Sequence, residues 1–235
     1  VKITPGYVEL PAGSCLIEMG RTRLICTASV ETRLPAWLHK AQLKQPNKSG
    51  WLTGEYSILP GAGPSRTPRP SSTGRKSGRT FEIQRLIGRS LRAVVDLSLL
   101  GPRTVWIDCD VLQADGGTRT AAVTGGYVAL KLALRDLLAG GIIDQDPVLE
   151  PLAAVSVGIV EGEVLLDLNY EEDSQADVDL NLVMTGSGEI VEVQATAEKI
   201  SFPRSRLTEM VELGAKGIEE LMAVQKAVLQ IPKSE

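Results

Sequence analysis

The sequence predicts an α+β fold with α/β-type layers, built from two similar halves in which strands come first and a helix follows. Short runs of alternating apolar and polar residues lie between glycine and proline turns, which is typical of strands. Each half then ends in a run whose apolar residues recur every three or four positions, which is typical of a helix. Strands and helices do not alternate as they do in a dinucleotide-binding fold. We expect the halves at residues 1–140 and 141–235.

The first half begins with strands separated by turn residues. The expected strands are Gly6–Leu10, Ser14–Met19, Thr22–Val30 and Trp51–Leu59. The first three are expected to be antiparallel, because only short turns separate them. Residues 60–78 are rich in Pro, Gly, Ser and Arg and show no periodicity, so a long loop is expected there. Loops of that length inside a compact domain are usually functional or disordered.

A helix is expected to follow this loop, from about Arg79 to Leu99. Its apolar residues share one face, and Gly101-Pro102 ends it. The opposite side carries a basic stripe at the same spacing, formed by Arg85, Arg89 and Arg92. A strand at Val105–Gln113 and a helix at Ala121–Leu138 complete the first half.

The second half repeats this scheme with two hairpins and a helix. Ala153–Val160 and Val164–Tyr170 are expected to pair around Glu161-Gly162-Glu163. Val178–Met184 and Ile190–Ala195 are expected to pair around Gly186-Ser187-Gly188. A helix from about Arg206 to Leu229 ends the chain, with Ser205 as its expected N-cap.

Rare residue types exclude several kinds of site. The chain has one histidine, His39, expected in a polar loop, and three scattered cysteines. A His/Cys zinc site or a Ser-His-Asp system with a nucleophile elbow is therefore not expected. No run approaches the ~20 apolar residues of a membrane span, and the first residues lack the apolar stretch of a signal peptide. We expect a cytoplasmic protein with reduced core cysteines and no membrane contact.

The charges are distributed unevenly in a chain whose net charge is −4. Between Pro60 and Arg103 there are nine basic and two acidic residues, a local charge of +7. From Glu161 to Asp179 there are eight acidic residues and no Lys or Arg. This asymmetry indicates an anionic partner at the first region and a cation at the second. The alternative is two solvated faces.

The strongest motif is Asp115-Gly116-Gly117-Thr118-Arg119-Thr120, between an expected strand and an expected helix. Two glycines let the backbone approach a ligand, and the helix N-terminus favours an anion. Thr118 adds a hydroxyl and Arg119 a fork of donors, which together predict a phosphate site. The alternative is a glycine turn with Thr118 as an N-cap. Arg79, in the first turn of another expected helix, would join the site; alternatively it is a surface residue.

The acidic region contains a candidate metal site. Asp179 is expected at the start of a strand, facing inward, and Asp173 lies in the turn before it. Two carboxylates that meet repel each other unless a cation joins them. Oxygen ligands beside phosphate favour Mg²⁺, or Mn²⁺ on the same grounds. The alternative is an exposed acidic turn. Together with the basic loop, these features fit metal-assisted phosphoryl transfer on a nucleic acid.

The chain resembles the RNase PH family of phosphate-dependent 3′ exoribonucleases along nearly its whole length. The matching stretches are Leu24–Glu31, Gly78–Asp96, Asp108–Thr120, Ala153–Val160, Glu172–Ser174 with Asp179, and Glu192–Glu198. The resemblance implies a fold of two similar halves and a ring of six subunits arranged as three dimers. It implies trimming of tRNA precursor 3′ ends by inorganic phosphate, with release of nucleoside diphosphates and a reverse reaction that adds nucleotides.

The resemblance also implies roles for particular residues. Arg79 and the Gly117-Thr118-Arg119 turn would bind the attacking phosphate, and Asp173 and Asp179 would support metal-assisted catalysis. Arg66 and Arg69 match loop arginines that engage RNA, and the stripe of Arg85, Arg89 and Arg92 is expected to track the RNA backbone. The family usually places an arginine after the Leu-Pro that ends a strand, whereas here Gly61 follows.

Two other functions remain open from the sequence. One is a non-catalytic ring subunit that only binds RNA, which should lack the phosphate arginines or the carboxylates. The other is a subunit of an exosome-type ring that is active only beside an inactive partner. Both sets of residues are present, which favours the enzyme, and the mass of the assembly would separate a homohexamer from an exosome subunit.

Overall fold

The structure, a computed structural model, describes residues 1–42, 49–74, 77–199 and 201–231, apart from the side chains of Gln42 and Thr73. The strands are β1 Lys2–Pro5, β2 Gly13–Met19, β3 Thr22–Glu31, β4 Trp51–Ile58, β5 Thr104–Gln113, β6 Leu152–Val160, β7 Glu163–Leu166, β8 Val178–Thr185 and β9 Ile190–Ala197. The α-helices are α1 Ala36–Gln42, α2 Pro70–Thr73, α3 Gly78–Ala93, α4 Thr118–Ala139, α5 Tyr170–Gln175 and α6 Arg204–Leu229, and a 3-10 helix spans Leu97–Leu100.

The first sheet contains five strands in the order β1-β2-β3-β5-β4. The first three form an antiparallel meander, in which β2 and β3 match predicted strands and β1 was not predicted, and β5 pairs antiparallel with β3. The edge strand β4 runs parallel to β5, because α3 carries the chain across the sheet between them. Cys26 lies opposite Cys15 on one side and Cys109 on the other, and all three thiols are free and buried, as predicted.

The second sheet contains four antiparallel strands in the order β7-β6-β8-β9, and both predicted hairpins are present. Helix α4 lies between the sheets and contacts β2 and β3 on one side and β6 on the other. Most of α4 is therefore buried around its whole circumference. Small residues allow this close packing: a Cβ on Gly125 would lie 2.8 Å from the Cys26 sulfur, and one on Gly126 would lie 3.1 Å from Ile107. No helix among the described residues is long and apolar enough to cross a membrane.

Two predicted strands were wrong in whole or in part. Gly6–Leu10 forms a turn and bends, and Gly6 adopts φ +66°. The Ser14 hydroxyl binds both the N–H and the C=O of Val8, so these groups are satisfied without a neighbouring strand. The strand predicted at Val164–Tyr170 ends at Leu166, because Asp167 adopts φ +56°. The chain then enters α5, which was expected to be a turn.

Several helix boundaries also differ from the prediction. The helix predicted to reach Leu99 ends at Ala93, where the branched pair Val94-Val95 leaves it and Val95 bridges to Val148. The loop expected at residues 60–78 contains the short helix α2, and its residues 75 and 76 lie outside the described residues. The C-terminal helix starts at Arg204 after Pro203, so Ser205 is inside the helix instead of capping it. His39 lies in α1 and not in a loop.

Candidate active site

The glycine turn has the backbone conformation that its sequence predicts. Gly116 and Gly117 adopt φ +82° and +57°, in the region that favours glycine. A Cβ on Gly116 would lie 2.1 Å from the carbonyl oxygen of Leu168, so a side chain at this position cannot be accommodated without a backbone shift. The turn from the first half of the chain therefore packs directly against the segment that leads to α5.

Thr118 is the first residue of α4 and is held by a tyrosine from β4. The Tyr56 hydroxyl donates to Thr118 Oγ1 at 2.8 Å, and both residues are buried. Because Thr118 accepts this hydrogen bond, its own hydroxyl proton remains available to an acceptor at the helix N-terminus. Burial raises the pKa of Tyr56, against the opposing effects of the hydrogen bond and of Arg79 and Arg119. The tyrosine therefore stays a donor at neutral pH.

Arg119 lies at the junction of three elements. Its Nη1 donates to Gln194 Oε1 of β9 at 2.8 Å and lies 3.3 Å from both carboxylate oxygens of Glu82 in α3. The arginine side chain is 14% exposed, so most of its surface is covered, and its ion pair with Glu82 is 3.3 Å long. Such a fork can exchange part of its contact with Glu82 for an entering anion.

The first turn of α3 brings a second arginine to the same place. Ser77 caps this helix by accepting from the N–H of Thr80 at 3.1 Å, and Arg79 lies exposed in the turn. Both Arg79 and Arg119 act electrostatically on the hydroxyl of Tyr56. Two helix N-termini and two guanidinium groups therefore face one region, which is an arrangement suited to a multivalent oxyanion.

The two predicted carboxylates lie near each other and near Arg119. Asp173 is exposed in α5, whose capping box is formed by Asn169 and Glu172, and Asp179 is half-buried in β8. Burial raises the pKa of Asp179, Asp173 raises it further, and Arg119 lowers it. Asp177 does not join them, because Lys199 binds its carboxylate at 3.1 Å. The mutual repulsion of Asp173 and Asp179 is the condition that a cation relieves.

The carboxylates of Asp173 and Asp179 fit a weakly held magnesium ion better than a metal site whose ligands all come from the protein. Within the described ranges, no group of three or more His, Cys, Asp or Glu side chains is arranged to hold a metal. Mg²⁺ keeps several waters and is often bound by one or two carboxylates together with substrate phosphates. Asp173 and Asp179 match that pattern.

The arginines predicted to bind RNA have different surroundings. Arg66, Arg69 and Arg85 are exposed, and Arg69 lines a cleft of about 610 Å³ beside Tyr56. Arg89 makes a two-pronged ion pair with Glu192 of β9, at 2.7 and 2.9 Å. Arg92 donates to the carbonyl of Leu52 and lies over the indole of Trp51. RNA would have to compete with these contacts at Arg89 and Arg92, whereas the first three arginines are accessible.

Sequence reasoning missed the residues that support the site. Glu82 and Gln194 lie in stretches that resemble the family, and Tyr56 lies in a predicted strand, but none of the three was given a role. Only the pairing of distant elements brings them to Thr118 and Arg119. Asp167 was also missed: its carboxylate lies 3.3 Å from the position of a Cβ on Gly117, beside the Ser156 hydroxyl. That hydroxyl is buried and has no hydrogen-bond partner among the described residues. Burial raises the pKa of Asp167.

The chain is similar to known proteins along nearly its full length. Residues 1–135 match the 3′ exoribonuclease family, domain 1, and residues 150–217 match the 3′ exoribonuclease family, domain 2. The chain is 55% identical over 231 residues to the ribonuclease PH of Syntrophomonas wolfei, covering 98% of this chain and 94% of that protein. It is 57% identical over 231 residues to the ribonuclease PH of Corynebacterium efficiens, covering 98% and 92%.

Two solved structures share the fold at low sequence identity. Rice (Oryza sativa) Rrp46 has a TM-score of 0.75 and 16% identity, covering 97% of this chain and 94% of that chain. A chain of the Archaeoglobus fulgidus exosome, solved with RNA bound to the active site, has a TM-score of 0.74 and 21% identity, covering 94% and 85%.

Proposed function

The chain belongs to the RNase PH family of 3′ exoribonucleases, and on that basis we propose which residues act and on what. It is a phosphorolytic 3′ exoribonuclease with the fold that the sequence predicted, and inorganic phosphate is its co-substrate. We propose that it trims the 3′ ends of tRNA precursors in the cytoplasm. The observation that carries the site assignment is the convergence of Thr118, Arg119 and Arg79 beside the carboxylates Asp173 and Asp179.

Phosphate is proposed to bind at the N-terminus of α4, held by the N–H groups of Gly117 to Arg119, the Thr118 hydroxyl and the guanidinium of Arg79. One of its oxygens attacks the phosphorus of the last phosphodiester. The bond from that phosphorus to the 3′ oxygen of the preceding nucleotide breaks, and that oxygen takes up a proton. A nucleoside diphosphate leaves, and the shortened RNA keeps a 3′ hydroxyl, so the reverse reaction adds nucleotides from diphosphates.

Arg119 is proposed to serve both the phosphate and the reacting phosphodiester, since its backbone belongs to the first turn of α4 and its charge acts on Asp179. Asp173 and Asp179 would hold Mg²⁺ or Mn²⁺, which when bound would neutralise negative charge as the phosphoryl group is transferred. Arg66, Arg69 and Arg85 would contact the RNA backbone, and Arg89 and Arg92 would do so only by giving up contacts within the protein.

The protein is proposed to assemble as a homohexameric ring of three dimers. The rival assemblies are an exosome-type ring with an inactive partner and a ring subunit that only binds RNA. The presence of both arginines and both carboxylates favours an active subunit. Native mass measurement of the purified chain separates these assemblies, because a six-fold mass without a partner supports the homohexamer.

The decisive assay supplies a tRNA precursor with and without inorganic phosphate. We expect nucleoside diphosphates only when phosphate is present. Release of nucleoside monophosphates in phosphate-free buffer would show hydrolysis and would contradict the proposal.

Asp179→Asn tests the role of the carboxylates. We expect turnover to fall by at least a hundredfold, because loss of a carboxylate removes the ligand pair, while the Kd for RNA changes less than threefold. Asp177→Asn is the matched control, since Asp177 is a neighbouring acid already paired with Lys199. Equal losses in both variants would argue against a specific role for Asp179.

A further inference from the structure

All three tryptophans of the chain line one cleft that lies away from the proposed active site. The cleft has a volume of about 770 Å³, and Trp37, Trp51 and Trp106 share it with Arg33, His39 and Lys40. We call it the tryptophan cleft. Trp51 begins β4, and Tyr56 lies five residues further along the same strand. At a rise of about 3.3 Å per residue, the cleft is roughly 16 Å from the tyrosine that holds Thr118.

The tryptophans are arranged so that one indole is fixed and another is exposed. The rings of Trp37 and Trp51 meet edge to face, with centroids 5.0 Å apart and planes at 90°. The Arg92 guanidinium lies 4.6 Å from the centroid of the Trp51 ring, so Trp51 is held from a second direction. Trp37 is 57% exposed. An exposed indole on a fixed support provides a flat apolar surface for a planar ligand at low entropic cost.

The charges around the cleft favour an anionic ligand. From Thr32 to Gly54 the sequence contains no Asp or Glu, in a chain that is acidic overall. Glu31 is the acid that lines the cleft, and Arg33 binds its carboxylate at 3.1 Å. Lys40 and His39 are exposed at the end of α1. Aromatic rings beside cationic side chains bind single-stranded nucleic acid, because bases stack on the rings and phosphates meet the cations.

We propose that the tryptophan cleft is a second RNA-binding site. A base upstream of the 3′ end of the RNA stacks on the Trp37 indole, and Lys40 binds a neighbouring phosphate. The proposal rests on the proposed function, since it takes RNA to be the substrate. The cleft adds affinity for RNA that is long enough to reach it from the active site. Short RNA fills the active site alone and gains nothing from Trp37.

Intrinsic fluorescence tests the proposal, because every tryptophan of the chain lies in the cleft. The probes are single-stranded oligoadenylates of 4 and 20 nucleotides in phosphate-free buffer, where phosphorolysis does not occur. The 20-mer should quench the emission, and the 4-mer should not. Trp37→Ala should raise the Kd for the 20-mer about tenfold, as expected for loss of one stacked base. Trp37→Phe should restore most of the affinity.

The control is Tyr7→Ala, which removes an aromatic side chain that is 50% exposed outside the cleft. It should leave the Kd for the 20-mer unchanged. Unquenched emission, or equal Kd values for Trp37→Ala and the wild type, would overturn the proposal. A smaller assembly mass for Trp37→Ala would also overturn it, since the cleft would then be a contact between copies of the chain.

Turnover separates this proposal from the proposed function. With phosphate, Trp37→Ala should raise the KM for the 20-mer about tenfold and leave kcat and the KM for the 4-mer unchanged. Failure of both oligonucleotides to release nucleoside diphosphates in the wild type would refute phosphorolysis, while quenching by the 20-mer would still support the cleft. Diphosphate release with identical KM values in Trp37→Ala and the wild type would refute the cleft alone.

Discussion

Tyr56→Phe tests whether a residue outside the motif prepares the phosphate turn. The change removes one oxygen and keeps a ring of the same shape in the core, where Tyr56 is 4% exposed. The lost oxygen donates at 2.8 Å to Thr118, which is 8% exposed. Without it, the Thr118 hydroxyl loses the partner that fixes its orientation, and its proton is no longer directed to the proposed phosphate site.

The size of the effect follows from that single hydrogen bond. A buried hydrogen bond between neutral groups contributes about 0.5–1.5 kcal/mol. If this free energy is expressed in binding, the KM for phosphate rises about twofold to twelvefold, at about 1.4 kcal/mol per factor of ten. The Tm should fall by only about 2–4 °C, the shift expected for about 1 kcal/mol in a chain of this size.

The assay measures the KM for phosphate and the Kd for RNA in Tyr56→Phe, Thr118→Val and the double variant. We expect the Kd for RNA to be unchanged. The double variant should resemble Thr118→Val, because Tyr56 acts through the hydroxyl that Thr118→Val removes. An unchanged KM for phosphate in Tyr56→Phe, or strictly additive effects, would refute this reasoning.

Two further substitutions test the support of the turn. Gly116→Ala should destabilise the fold by several kcal/mol more than its control Gly141→Ala in urea unfolding, because both have positive φ but only Gly116 meets a backbone atom. Similar losses of stability in the two variants would show that the contact with the Leu168 carbonyl is not the cause of the destabilisation. Asp167→Asn should raise the Tm at pH 7, because burial raises the pKa of Asp167 and its half-buried charge therefore destabilises the fold above that pKa. This increase in Tm should vanish below about pH 4, where the carboxyl is protonated. An increase that does not change with pH would contradict the role of the Asp167 charge.

Most of the fold was predictable because its signals are local. The alternation in Thr22–Glu31 and the helical spacing in Gly78–Ala93 are visible without knowledge of partners. The errors occurred where contacts with residues elsewhere in the chain determine the local structure. Gly6–Leu10 has a strand-like composition, but the Ser14 hydroxyl binds the N–H and the C=O of Val8 at its centre. The parallel pairing of β4 with β5 depends on how α3 crosses the sheet, which no local pattern encodes.

The candidate site likewise has one part that the local sequence predicts and another part that depends on distant residues. Gly117, Thr118 and Arg119 form a continuous motif, so the conformation of the turn was predictable from spacing and backbone chemistry, and its role in binding phosphate stays a prediction. The neighbours of Arg119 were not, because Glu82 precedes it by 37 residues and Gln194 follows it by 75. The basic stripe on α3 was predicted as one surface, yet Arg89 and Arg92 contact Glu192 and Trp51. Helical spacing identifies the face on which a charge lies but not the group that it meets.

These contacts make the geometry of the site depend on how the two halves of the chain pack. Arg119 and Gly116 belong to the first half, and their partners Gln194 and Leu168 belong to the second. Leu168 adjoins Asn169, which caps the helix carrying Asp173. A displacement of the turn therefore moves Arg119, the proposed phosphate ligand, relative to the helix that carries Asp173. Positioning errors of about 1 Å can cost a hundredfold in rate. Substitutions of residues that pack one half of the chain against the other should therefore lower kcat at temperatures where the chain is still folded.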